Sequence, residues 1–202
     1  MLFSILIFDE PGTGALRDEF RQRHLDYLKS FDDQTLFAGP FTADDESADL
    51  GSLRLIELPN LAAAEKHIAD EPYVTGGVQK RWLINRWKPS IVTTWRDCHR
   101  TKGNIQLMFH AIDSRAGADI RKRNEEALEA YLDQHTNSIM CRGLLLSDKG
   151  AAPIGSLMLL DVTDLGAGRA IIENEPLFKA GCYQDITLHR WRFGRVFDRY
   201  KD

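Results

Sequence analysis

The chain has few of the features that mark a membrane, metal or nucleic-acid protein. Its 202 residues include only Cys98, Cys141 and Cys182, widely spaced and odd in number, with no metal-ligand spacing. That usage suits free thiols in a reducing cytoplasm, not a disulfide framework or a zinc site. No run of about eighteen apolar residues occurs, so no membrane span is expected. The opening Met1-Leu2-Phe3-Ser4-Ile5-Leu6-Ile7-Phe8 lacks a basic flank and runs into Asp9-Glu10, which reads as a buried strand and not a targeting segment. Net charge is −4, with no Lys/Arg-rich stripe to displace counterions from phosphates, so nucleic acid is not expected as a partner. The Arg-rich stretch from Arg190 to Arg199 is broken by Asp198 and reads as a solvated strand end. No pattern for haem, flavin, nucleotide or zinc is present, so no cofactor and no metal are expected.

What the chain does have is itself, twice. Shifted by 104 residues, Gly51-Ser52-Leu53 falls on Gly155-Ser156-Leu157, Glu71-Pro72 on Glu175-Pro176, and Arg86-Trp87 on Arg190-Trp191. Asp9/Asp113, Arg17/Arg121, Tyr27-Leu28/Tyr131-Leu132, Gly39/Gly143 and Gly77/Gly181 hold the register, giving roughly twenty identities over roughly ninety positions. With 43% hydrophobic and 28% charged residues, each half can bury its own core. The expected division is 1–96 for a first repeat that carries the candidate site and 97–202 for a degenerate second.

Within each half the periodicity changes in a fixed order. Residues 2–8 are an apolar strand, and residues 15–31 place Leu16, Phe20, His24, Leu28 and Phe31 on one helical face. Strands follow at 35–39 and 51–58, then a helix over 61–69 with Asn60 as its N-cap, then a closing strand over 79–87. The order β-α-β-β-α-β is the ferredoxin-like arrangement, an antiparallel sheet with two helices on one face. The fold class expected is α+β, two such repeats forming a single-chain, pseudo-dimeric α+β barrel. Whether this internal pseudo-dimer pairs again as a homodimer is left open.

The first half resembles the YciI family of small dimeric α+β barrel proteins. The likeness rests on His24-Leu25-Asp26-Tyr27-Leu28, Ala38-Gly39-Pro40, Gly51-Ser52 and Glu71-Pro72-Tyr73-Val74-x-x-Gly77-Val78. It spans about residues 1–90, and the repeat carries it more faintly over 105–195, as in a tandem YciI-type protein. The resemblance implies a His/Asp pair at a small-molecule pocket, and some relatives are enzymes of chlorinated-aromatic breakdown. Here His24 is present, and Glu71 stands where Asp is usual, its carboxylate on an arm one methylene longer.

Read from the residues alone, His24 lies on the core-facing stripe and titrates near neutrality, so it can move a proton for a substrate that reaches it. Its counterpart is Leu128, so the same slot can also be plain core. Glu71 and Glu175 recur in both halves, which suits either an orienting carboxylate or an acceptor for backbone N–H groups at a short helix start. Ser52 is a candidate for substrate contact and also ordinary turn chemistry. Tyr73 faces Leu177 across the repeat, a contrast like that of His24 with Leu128. Arg86 is a candidate for a substrate carboxylate, while pairing with acids at the sheet rim is the plainer reading. His110 and His189 lie on strands without ligand partners.

Two functions therefore stand. One is a cofactor-independent enzyme, of isomerase, lyase or hydrolase type, acting on a small aromatic or lactone-like acid through His24 and Glu71, with Ser52, Tyr73 and Arg86 in binding roles. The other is a non-catalytic small-molecule-binding or assembly module of the same fold.

Overall fold

The computed structural model describes residues 1–147, 150 and 152–200, and the side chains of 198–200 fall outside that description. The chain divides into two compact units, Met1–Trp87 with Trp191–Asp202, and Lys88–Arg190. The last twelve residues thus belong with the first unit, although they follow the second repeat in sequence.

The first repeat runs β1 (Leu2–Asp9), α1 (Gly14–Lys29), β2 (Thr35–Thr42), β3 (Asp49–Glu57), α2 (Leu61–Ala69), α3 (Pro72–Thr75) and β4 (Gln79–Ile91). The second repeats it as β5 (Ile105–Asp113), α4 (Gly117–Gln134), β6 (Ile139–Leu146), β7 (Pro153–Val162), α5 (Leu165–Glu173), α6 (Pro176–Lys179) and β8 (Tyr183–Trp191). Strand order is β4–β1–β3–β2 in the first and β8–β5–β7–β6 in the second. The β-α-β-β-α-β reading holds, with the addition of the one-turn helices α3 and α6, too short to show a period.

The cores repeat in register. Phe3, Ile5, Ile7, Ile56, Leu58 and Ile68 pack together in the first unit. Leu107, Phe109, Ala111, Leu160, Val162 and Ile172, each 104 residues on, pack together in the second. Asn60 caps α2 by accepting from the Ala63 amide at 2.9 Å, and Asp164 caps α5 from Ala167 at 2.8 Å. The recurrent Gly-Ser pair has a steric cause: a Cβ on Gly51 would lie 2.1 Å from the Ile7 carbonyl, and one on Gly155 would lie 2.2 Å from that of Ala111.

One helical face differs from the sequence reading. Leu16 is 38% exposed, while Arg17 is 9% exposed. The buried line of α1 runs Arg17, His24, Leu28. Arg17 turns inward because carboxylates await it: it bonds Asp9, and its Nε lies 3.0 Å from Asp49.

The terminal segment is laid along β2. Arg192 donates its amide to the Pro40 carbonyl at 3.1 Å, Gly194 to Ala38 at 2.8 Å, and the Trp191 indole N–H to Gly39 at 3.1 Å. This run is antiparallel to β2, and Gly39 is the residue that permits it. A Cβ there would sit 1.9 Å from the Arg192 carbonyl oxygen and 2.9 Å from the Trp191 ring. Gly39→Ala is therefore expected to lift the segment off β2. Limited trypsinolysis checks this, since cleavage at Arg192 or Arg195 should become faster than in the wild type. An unchanged cleavage rate would mean that the segment is held elsewhere.

Candidate active site

The site is built on three elements of the first unit. His24 comes from the middle of α1, Arg54 from β3, and Glu71 from the joint where α2 ends and Pro72 starts α3. Proline suits that first helical position because its missing N–H has no partner to lose. Glu71 is the N-cap of α3 and accepts from the Tyr73 amide at 3.1 Å, which fixes its side chain before any ionic partner is considered.

Around that carboxylate the buried polar groups form a chain. His24 Nδ1 lies 2.8 Å from Glu71 Oε1, and Arg54 pairs with Oε2. The other terminal nitrogen of Arg54 is 2.9 Å from His67 Nε2. Tyr27 Oη lies 3.2 Å from His67 Nδ1 and donates to the His67 carbonyl at 2.8 Å. Guanidinium can only donate, so His67 Nε2 accepts and its proton resides on Nδ1, facing the tyrosine oxygen. His67 is accordingly neutral: burial, then the Arg54 charge, push it down to about 3.

Glu71 is ionised. Burial alone would raise its carboxyl, yet Arg54, His24 and the Tyr73 amide together hold it well below the usual carboxylate range. An ionised Glu71 accepts from His24 Nδ1–H, which sets the tautomer of His24 with its lone pair on Nε2. Burial lowers the His24 pKa more than the Glu71 bond and charge raise it, so the imidazole is neutral at pH 7. The Tyr73 ring stacks on His24 with centroids 3.9 Å apart and planes 14° from parallel, holding the ring's tilt. No described residue hydrogen-bonds Nε2.

His24 lines a cleft of about 540 Å³, open mouth included, together with Arg54, Tyr73 and Ser52. Four of the five expected site residues are thus brought together, Glu71 directly behind His24. Ser52 accepts from Gln79 Nε2 at 3.4 Å. Arg86 is elsewhere: it lies on β4 opposite Phe3, away from the residues that line the cleft. The Arg-rich tail, read as a solvated strand end, instead puts Arg192 and Arg195 along the cleft. Arg54, His67 and Arg17 escaped the sequence reading, although the comparison that singled out Tyr73 against Leu177 also sets Arg54 against Met158 and His67 against Ile171.

The second unit shows what the same scaffold does without this chemistry. Leu128, Met158, Ile171 and Leu177 replace His24, Arg54, His67 and Tyr73. Leu177 is fully buried and packs in one cluster with Ile120, Cys182 and Leu128, while Met158 and Ile171 belong to the main core. What remains polar closes on itself. Arg121 chelates Asp113 at 2.6 and 2.7 Å and reaches Ser156 at 2.9 Å, and Tyr183 Oη lies 3.1 Å from both Ser156 and Glu175. With no guanidinium on it, Glu175 is raised by burial, opposite in direction to Glu71. Tyr131 still bonds the Ile171 carbonyl at 2.9 Å, as Tyr27 bonds that of His67. Among the described residues, no group of three or more His, Cys, Asp or Glu side chains converges as a metal site would require, and no helix is long and apolar enough to cross a membrane.

Two ferredoxin-like repeats, one of them holding a buried His–Glu–Arg group beside a cleft, define a tandem protein of the dimeric α+β barrel fold. A putative chlorite dismutase shares that fold across 98% of both chains, with a TM-score of 0.61 and 13% identity. The YCII-related domain matches twice, at residues 1–88 and 105–192, and the chain belongs to that family. An uncharacterized protein of Haemophilus influenzae is 34% identical over 95 residues, covering 44% of this chain and 97% of its own length. A 5-chloro-2-hydroxyhydroquinone dehydrochlorinase from Burkholderia phenoliruptrix, solved with 2,5-dihydroxybenzoquinone, is 26% identical over 44% of this chain and 94% of its own, with a TM-score of 0.41.

Proposed function

We propose that the first unit is a cofactor-independent acid–base site that moves a proton on a small aromatic or lactone-like acid, in an isomerisation, elimination or hydrolysis. The observation that carries this reading is the 2.8 Å contact of His24 Nδ1 with Glu71, with Nε2 unpaired among the described residues on a side chain that lines the cleft. His24 Nε2 takes a proton from the substrate; Glu71 holds the ring and stabilises the imidazolium that forms. Arg54, held from behind by His67, keeps Glu71 ionised. In an elimination the electron pair of the broken C–H bond becomes the new double bond and the leaving group departs with the pair of its own broken bond. In an isomerisation the same imidazolium returns the proton at a second carbon; in a hydrolysis the proton comes instead from the attacking water and passes to the departing oxygen. Shared fold with an enzyme-type protein supports a small-molecule reaction without choosing one. The second unit, its equivalent slot filled with apolar side chains, serves as scaffold.

An NMR titration of the His24 imidazole tests the pair. Its midpoint is expected below the ordinary 6.5, because burial outweighs Glu71. In Glu71→Gln the midpoint should fall further, since the bond and charge that opposed burial are weakened. A midpoint that ignores Glu71→Gln would disconnect the two residues and leave a binding module in its place.

A further inference from the structure

Five guanidinium groups line the cleft, those of Arg17, Arg21, Arg54, Arg192 and Arg195. Four carboxylates answer them. Arg17 pairs with Asp9 and Asp49, Arg21 with Asp18, Arg54 with Glu71, and Arg192 takes the other oxygen of Asp49 at 2.6 Å. The charge left over is on Arg195, which is exposed and makes no hydrogen bond or ion pair among the described residues. Its place is fixed by backbone, because the segment that bears it is pinned to β2 by the Arg192 and Gly194 amides. A cation without a described partner on a held backbone, beside a cleft whose other cations are already paired, has the chemistry to take an anion.

We propose that Arg195 is a specificity-determining residue that binds the carboxylate of a small ring acid, with Arg192 beside it, while the ring lies among Leu25, Leu28 and Val196. This rests on the reading of His24 as the base only for the ligand's other end, whose acidic hydrogen is placed at Nε2. Guanidinium suits the task because its fork matches the two carboxylate oxygens. The repeat offers a control within the molecule: 104 residues earlier, Arg192 and Arg195 correspond to Lys88 and Ile91. The second unit therefore lacks the position-195 cation as well as the base.

Calorimetry on the full chain decides this, with 2,5-dihydroxybenzoate and hydroquinone as probes that differ only by the carboxylate. The wild type is expected to bind the carboxylate about tenfold more tightly than the phenol, the margin of one charge-assisted contact. Arg195→Gln should erase that preference and leave hydroquinone binding unchanged; Arg195→Lys should restore part of it; added salt should weaken the carboxylate alone. No preference in the wild type, whether from equal affinity or from absence of binding, overturns the proposal, as does a preference that survives Arg195→Gln. The acid–base reading fails separately. If the preference depends on Arg195 and persists in His24→Gln, while the His24 imidazole ignores Glu71→Gln, then the anion site stands and the base does not.

Discussion

Arg54→Met, which installs the residue that the second unit carries at the same place, is expected to destabilise the protein by about 3–5 kcal/mol at neutral pH, read as a lowered urea midpoint. That is the usual cost of removing one partner from a buried ion pair and leaving the other charge uncompensated. Arg54 is 1% exposed and Glu71 is fully buried, so water cannot take over the lost contact. The loss should depend on pH in a defined direction. In the wild type the folded-state pKa of Glu71 is depressed, so its contribution is present above the unfolded value near 4.5 and is lost as pH falls through the folded value. Without Arg54, burial dominates, as it does at Glu175, and the folded pKa moves above the unfolded one. The variant then keeps its Glu71 contribution below pH ~4.5 and loses it as pH rises through the new folded value. The gap between the two proteins should be wide at pH 7 and narrow in acid. Arg54→Met with Glu71→Gln should recover much of the loss, because no unpaired charge remains. A double variant whose cost equals the sum of the singles would show that the ion pair is not the unit of stability.

The fold was legible in the sequence because it is written twice and in two periods. Every strand and long helix of the first repeat lies where alternation or helical spacing puts it, and α2 spans the expected Leu61–Ala69 with its Asn60 cap. The site was half legible. His24 and Tyr73 stand out because a motif and a mismatch between repeats both point at them, and Glu71 because the motif does and the second repeat keeps it. Arg54 did not, since a basic residue in a run such as Leu53-Arg54-Leu55-Ile56 reads as one outward side chain of a strand. Its burial depends on a carboxylate seventeen residues on and an imidazole thirteen on, contacts that exist only after α2 folds back on β3. The position of Arg86 away from the cleft was hidden for the reverse reason: it sits on the last strand beside a shared tryptophan, and nothing in spacing says which side of β4 meets the cleft. The role proposed for Arg195 depends on the segment that bears it pairing with β2, a long-range contact invisible to local pattern.

His24→Gln is expected to lower proton transfer by 10²–10⁴-fold, the ordinary worth of a positioned general base. Solvent-deuterium exchange at the acidic carbon of a butenolide acetic acid would measure it without requiring the full reaction to be known. The wild-type rate should rise with pH through a midpoint below 6.5 and level off before neutrality, because the active form is the neutral imidazole that burial favours. Set against this, His24→Leu copies Leu128 and should cost little stability, since it removes a buried polar group whose solvation was already lost. The rate carries the argument: a side chain kept for packing alone would tolerate leucine and change no rate, whereas one kept for chemistry would lose the rate and leave the fold intact. If His24→Gln exchanges as fast as the wild type, the cleft binds without reacting. The His24–Glu71–Arg54 group would then be a buried polar network of which the second unit keeps only the glutamate, with leucine and methionine in the other two places.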